Sequence, residues 1–164
     1  KYDADPIIRI TGDCPLVDPI LIDKMIKFFL ENNFDYVSNT IERTFPDGLD
    51  VEIFTFSTLK KAFLEATWLS EREHVTPYII KNPKIFKIFN YKNNENLSHY
   101  RWCIDEELDY KMIQKIFYEL TPKKYFTTKE ILDLLKKHPE ISKINSGILT
   151  NDGYINSLKN DKKI

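Results

Sequence analysis

The chain has 164 residues, of which 42% are hydrophobic and 13% aromatic; that is enough for one domain with a proper core and too little for two. Its 24 basic and 25 acidic side chains nearly cancel to a formal charge of -1, which excludes the basic field of a nucleic-acid binder and an acidic tail. Two cysteines, Cys14 and Cys103, exclude a secreted disulfide framework and a cysteine-based zinc site, and no apolar run reaches the roughly 18 residues of a membrane span.

In chain order, "PIIRIT" is a short β-branched run ending at Gly12 and reads as a buried strand. Asp18-Pro19 offers an N-cap followed by proline at the first helical position, and Ile22, Met25, Ile26, Phe29 and Leu30 extend that helix to about Asn32. "FDYVSN" reads as a second strand, "RTFPDGLD" as a Pro-Asp-Gly turn, and "DVEIFTF" as a third, alternating strand. Ser57 is placed to cap a helix over "TLKKAFLEA", and a further helix is expected over "SEREHVTPYIIKN", with Pro77 near its start or kinking it. "FKIFNY" and "YRWCI" read as two more strands joined by a polar loop. Asp105 precedes a helix over "EELDYKMIQKIFYEL", and "TTKEILDLLKK" is a capped amphipathic helix. From about 139 the chain is expected to be a polar tail, with "NSGILTNDGYINSLKN" lying over the surface as loop.

Strands alternating with helices predict an α/β layered domain with a parallel or mixed sheet. In such sheets ligands collect outside the carboxyl ends of strands. Asp13 follows "IIRIT" and Asp105 follows "YRWCI", so each stands at such an end. A phosphate-bound Mg²⁺ takes one or two protein carboxylates, and this pair suits it if the two strands are neighbours. The alternative from spacing alone is that Asp105 is only an N-cap and Asp13 only a turn former.

"IIRITGDCPLVDP", "DYVSNT", "FPDGLDVEIFTF", "SEREHVTPYI" and "RWCIDEELDY" occur in that order and spacing. On those segments the chain resembles the cytidylyltransferases of the spore-coat polysaccharide biosynthesis protein F type. These are relatives of the acylneuraminate and 3-deoxy-manno-octulosonate cytidylyltransferases. The likeness runs from Asp5 to about Ser157. It implies a Rossmann-like three-layer α/β/α nucleotide-diphospho-sugar transferase fold with a mixed sheet. It also implies transfer of CMP from CTP to an acidic or amino sugar, with release of pyrophosphate and Mg²⁺ as cofactor, in cell-surface polysaccharide synthesis. Asp13 and Asp105 are then the metal-holding, catalytic carboxylates.

Members of that family begin with a strand and a Gly/Arg/Ser/Lys-rich loop around the CTP base and phosphates. Nothing of that kind precedes Pro6, and the chain contains only 4 glycines. The expectation is an N-terminally truncated, cytoplasmic protein, residues 1–164 being the carboxyl-terminal two-thirds of one cytidylyltransferase domain and inactive by itself. Asp50 and Glu52 of "DVE" share a strand face and are candidates for sugar hydroxyls; a polar edge strand is the alternative. Arg72, Glu73 and His74 of "REHVT" form the densest cluster, able to bind an anionic sugar or simply to make a helix-start ion pair. Asn39 is a further substrate-binding candidate. Arg9 and Arg101 lie inside apolar runs, so each is expected to reach a carboxylate or phosphate.

Two rival functions suit the same residues. One is a metal-dependent glycosyltransferase, against which "GDCP" lacks a DxD triplet. The other is a non-catalytic sugar-binding or assembly module derived from the same fold. Relatives dimerise through a β-rich arm, and "FKIFNYKNNENLSHYRW" is the candidate for such a homodimer arm or for a plain hairpin.

Overall fold

The computed structural model describes residues 4–148 and 157–164. The apolar runs form four short strands: β1 (Ile7–Arg9), β2 (Tyr36–Ser38), β3 (Glu52–Phe54) and β4 (Ile88–Asn90). They pair in the order β1-β3-β2-β4, with β3 antiparallel to β1 and β2, and β2 parallel to β4. Because β3 runs against the others, its first residue lies level with their last ones. Glu52 therefore pairs with both Arg9 and Ser38, and Ser38 with Asn90. One end of the sheet thus collects the polar residues.

Strand alternation sends neighbouring side chains to opposite faces. Val37 and Ile53 enter one core with Leu21, Met25 and Phe29 of α1 (Pro19–Glu31), Met112, Ile113 and Ile116 of α5 (Glu107–Leu120), and Ile131 of α6 (Thr128–Lys137). Tyr36 and Phe54 face the other way, against Ala62 of α2 (Phe56–Glu65) and Ile79 of α4 (Pro77–Lys81). The result is a three-layer α/β/α arrangement. Each fully buried aliphatic side chain contributes about 1.5–3 kcal/mol of transfer free energy. No helix among the described residues is long and apolar enough to cross a membrane.

Asp18 caps α1 as expected, its carboxylate accepting from Ile20 N at 2.8 Å. Its other oxygen accepts from Thr128 N at 2.8 Å and ties α6 to α1. Thr127 and Glu130 make the capping box of α6. Several expectations need correction. Thr55, not Ser57, caps α2, because the helix begins at Phe56, two residues before the apolar pattern. "SEREHVTPYIIKN" is two helices, α3 (Leu69–His74) and α4, divided before Pro77. "FKIFNY" is no hairpin arm: β4 pairs with β2, and "YRWCI" contributes a single bridge from Arg101 to Asp47. Leu30 is exposed rather than core.

The segment after 139 is not a polar tail either. It opens with α7 (Pro139–Lys143), and Ile141 and Asn145 are buried. Residues 149–156 of the expected surface loop lie outside the described residues. Beyond them Asp161 accepts from Ser70 N and Ser70 Oγ, and Leu69 N donates to Lys162 O, so the carboxyl end is packed on α3.

Between α3 and α4, Val75 has φ 71° and ψ -52°, and Thr76 N donates to His74 O at 2.8 Å. This is a γ-turn with a β-branched residue at its strained centre, a conformation costing about 1–3 kcal/mol. It aims His74 and Thr76 toward the same side. In denaturant titrations Val75→Gly should be about 1 kcal/mol more stable than Val75→Ala, the reverse of the usual order, because only glycine adopts this φ freely. The usual order, alanine above glycine, would show the turn to be unstrained.

Candidate active site

A cavity of about 710 Å³ opens at the polar end of the sheet. It is lined by Arg9 from the end of β1, Asp13 from the turn after it, Glu52 from β3, and His74 and Thr76 from the γ-turn. Asp50, Arg101 and Asp105 also line it. Its position outside the carboxyl ends of β1 and β2 is the usual ligand position in an open α/β sheet.

Asp13 and Asp105 come together through the backbone. Cys14 N donates to Thr11 O at 3.3 Å, turning the chain, and Ile104 N donates to Asp13 O at 2.8 Å. The segments carrying the two aspartates are thus hydrogen-bonded to each other. Asp13 is half-buried, and its Oδ1 accepts from the Cys14 thiol at 3.6 Å. Asp105 is half exposed, and its Oδ2 accepts from Arg101 Nη2 at 2.6 Å. Among the described residues no hydrogen bond reaches the second oxygen of either carboxylate.

The guanidinium groups of the cavity each have carboxylate partners, as burial of a charge demands. Arg9 is ion-paired with Glu52, which also accepts from Tyr36 OH at 2.5 Å and Thr76 Oγ1 at 2.6 Å. Arg43 grips Asp50 with two nitrogens, at 2.5 and 2.9 Å, and approaches Asp47 at 3.2 Å. Arg101 reaches Asp109, Asp105 and Asp47. Among the described residues six carboxylates and four cationic side chains line the cavity, a negative balance that suits a cation that would in turn hold phosphate.

Burial sets several protonation states. Desolvation raises Asp47 above the usual carboxylate range, partly offset by Arg43 and Arg101. Asp109 is held below that range: burial works against its charge, but Arg101, Asn145 and the backbone N–H groups of Asp105 and Glu106 outweigh it. Burial pushes the Cys14 thiol up to about 12 and the Cys103 thiol higher still, so both remain neutral fillers. Cys103, Asp105 and Asp109 bring one ligand atom each within 4.8 Å of one another. In that trio both Asp109 oxygens are already engaged by Arg101, Asn145 and the backbone N–H groups of Asp105 and Glu106, so Asp109 is committed to the protein rather than to a cation.

Of the residues expected from sequence, Asp13, Asp50, Glu52, His74, Arg101 and Asp105 share the cavity. Three others do not. Asn39 is 1% exposed, and its amide bonds Leu49 O and Val51 N, bracing the backbone. Arg72 lies over the Phe63 ring at 4.7 Å. Glu73 is an exposed helix residue 4.0 Å from His74 Nε2, which itself bonds Ser157 Oγ at 2.8 Å. On a helical turn, consecutive residues point in different directions, so only His74 of "REH" can face the cavity. Arg43, Asp47 and Asp109 were missed. Arg43 carries no local signal, Asp109 reads only as an acidic first-turn residue of α5, and Asp47 was hidden inside a turn motif.

A three-layer α/β/α domain with an acidic, arginine-braced cleft outside its strand ends defines the class. The chain belongs to the cytidylyltransferase family, which it matches over residues 1–147. It is 42% identical over 152 residues to an uncharacterized protein of Methanocaldococcus jannaschii, MJ1063, covering 90% of this chain and 60% of that one. It is 30% identical over 137 residues to the spore coat polysaccharide biosynthesis protein SpsF of Bacillus subtilis, covering 82% of this chain and 56% of that one. A cytidylyltransferase structure from Leptospira borgpetersenii superposes with a TM-score of 0.81 at 38% identity, covering 86% of this chain and 60% of the other. The chain therefore spans 60% or less of the length of these relatives.

Proposed function

We propose that this chain supplies the metal and acceptor side of a cytoplasmic enzyme that transfers CMP from CTP to a sugar, releasing pyrophosphate, in cell-surface polysaccharide synthesis. The observation that carries this reading is the hydrogen-bonded meeting of the Asp13 and Asp105 segments in one cavity, with an oxygen of each carboxylate left without a hydrogen bond among the described residues. Two such oxygens fit a hydrated Mg²⁺ that also holds substrate phosphates. When bound, the ion supplies charge neutralisation on the triphosphate. The chain's own groups orient the acceptor. Asp50 and Glu52 are engaged by Arg43 and Arg9, so they hold those guanidinium groups in place, and His74 and Thr76 border the sugar side.

Because the chain spans only part of its relatives, the test uses two proteins. One contains this chain at the relatives' full length; the other is the 164-residue chain. With Mg²⁺ and the correct sugar, the longer protein should release pyrophosphate from CTP. The chain alone should bind CTP weakly and show no turnover. A longer protein that binds sugar without consuming CTP would favour the non-catalytic module instead, and robust turnover by the chain alone would mean the nucleotide site lies elsewhere.

A further inference from the structure

The buried charge network behind Asp105 has no part in the chemistry described so far. Arg101 is 7% exposed, and Asp109 is completely buried. Arg101 Nε donates to both oxygens of Asp109, at 3.0 and 3.1 Å, and Nη2 donates to Asp109 at 2.9 Å. Asn145 Nδ2 completes the clamp, bonding Asp109 Oδ1 at 2.8 Å and Arg101 O at 2.9 Å. The same Asp109 also accepts from Asp105 N at 3.2 Å and Glu106 N at 3.1 Å. Asp105 is thus held twice: its backbone by Asp109 and its side chain by Arg101.

An arginine is electrostatically wrong beside a site for a divalent cation, since like charges repel across a few ångströms. Geometry gives it a reason. A half-exposed aspartate on a loop has freedom about χ1 and a broad, two-fold χ2. The 2.6 Å bond from Arg101 ties up one oxygen and fixes the plane of the carboxylate, leaving the other as a single directed ligand. Groups that orient a metal ligand in this way commonly matter about 10–100-fold for affinity.

We infer that Arg101, clamped by Asp109 and Asn145, is a positioning residue that presents Asp105 to the metal through one oxygen only. The inference rests on Asp105 being a metal ligand, as proposed above. Two roles for Arg101 make opposite predictions. If it acts through charge alone, removing that charge draws a cation in more tightly. If it acts by positioning, removing it loosens the cation.

The experiment is titration of Mn²⁺ into the 164-residue chain, read by water-proton relaxation, with circular dichroism confirming the fold of each variant. Arg101→Lys keeps the charge but has no planar fork to span Asp109 and Asp105 together. It should weaken Mn²⁺ binding about 10-fold. Arg101→Gln should weaken it also. Asn145→Ala, which leaves both charges in place, covers the case in which Arg101→Gln fails to fold, and it should weaken binding several-fold, roughly within the range of such orienting groups. Folded variants that bind within about two-fold of the parent chain, or an Arg101→Gln protein that binds more tightly, would overturn the positioning role. The underlying metal reading fails separately, and the inference with it, if the parent chain and Asp105→Asn bind Mn²⁺ alike.

Discussion

Asp105→Asn is expected to lower pyrophosphate release by at least about 10²-fold in a protein carrying this chain at its relatives' length, the scale on which one electrostatic stabiliser acts in a closed site. The substitution is nearly isosteric, and its carbonyl oxygen can still accept the 2.6 Å hydrogen bond from Arg101. Folding should therefore survive while the charge facing the cavity is lost. Steady-state rates at saturating CTP and Mg²⁺ measure the effect. A suitable control is Glu73→Gln, because Glu73 is exposed and does not line the cavity; its rate should stay within about two-fold of the parent, as for a surface substitution away from any special feature. An Asp105→Asn enzyme with unimpaired turnover would remove the carboxylate from the mechanism. A loss shared equally by Glu73→Gln would point to general destabilisation.

Gly48→Ala should cost about 3–5 kcal/mol, a large share of the stability of a domain this size. Pro46 to Leu49 form a turn closed by Leu49 N to Pro46 O at 3.2 Å, with Gly48 third in the turn at φ 101°. A type II turn requires such a φ there, and side chains other than glycine resist it. Space forbids a methyl group as well. A Cβ would lie 2.5 Å from Cys103 N and 2.7 Å from Trp102 O, both backbone atoms that cannot rotate away. Relief would require moving the segment that carries Asp105. Denaturant midpoints should fall sharply for Gly48→Ala and hardly at all for Gly12→Ala, whose added Cβ would meet nothing within 4 Å. Equal midpoints for the two would mean the Asp47–Trp102 contact yields easily.

That contact also explains why "YRWCI" reads as a strand and does not become one. Asp47 and Arg101 bridge, and Trp102 N donates to Asp47 O at 2.6 Å, but the turn at Gly48 then carries the partner chain away. β-propensity describes what a segment suits, and a ladder needs a neighbour that stays alongside. The tail misled in the opposite sense. Its polar composition conceals Asn145, which is buried because Asp109 and the Arg101 carbonyl need its amide.

Local chemistry fixed in the sequence settled the layered α/β class, the cap at Asp18, the capped helix of "TTKEILDLLKK", and the need of Arg9 and Arg101 for acidic partners. The motif resemblance settled the family. Each of those rests on residues close together in the chain, or on motifs kept in order. Only the tertiary structure decided which carboxylates remain available. Glu52 and Asp50 look free in "DVE", yet folding brings Arg9 and Arg43 onto them from residues 43 and 7 positions away. Asp109, an unremarkable helix residue in sequence, becomes the buried anchor of the site. Charge pairing in a protein interior depends on which groups lose water together, and that is determined by packing across the sheet rather than by neighbours along the chain.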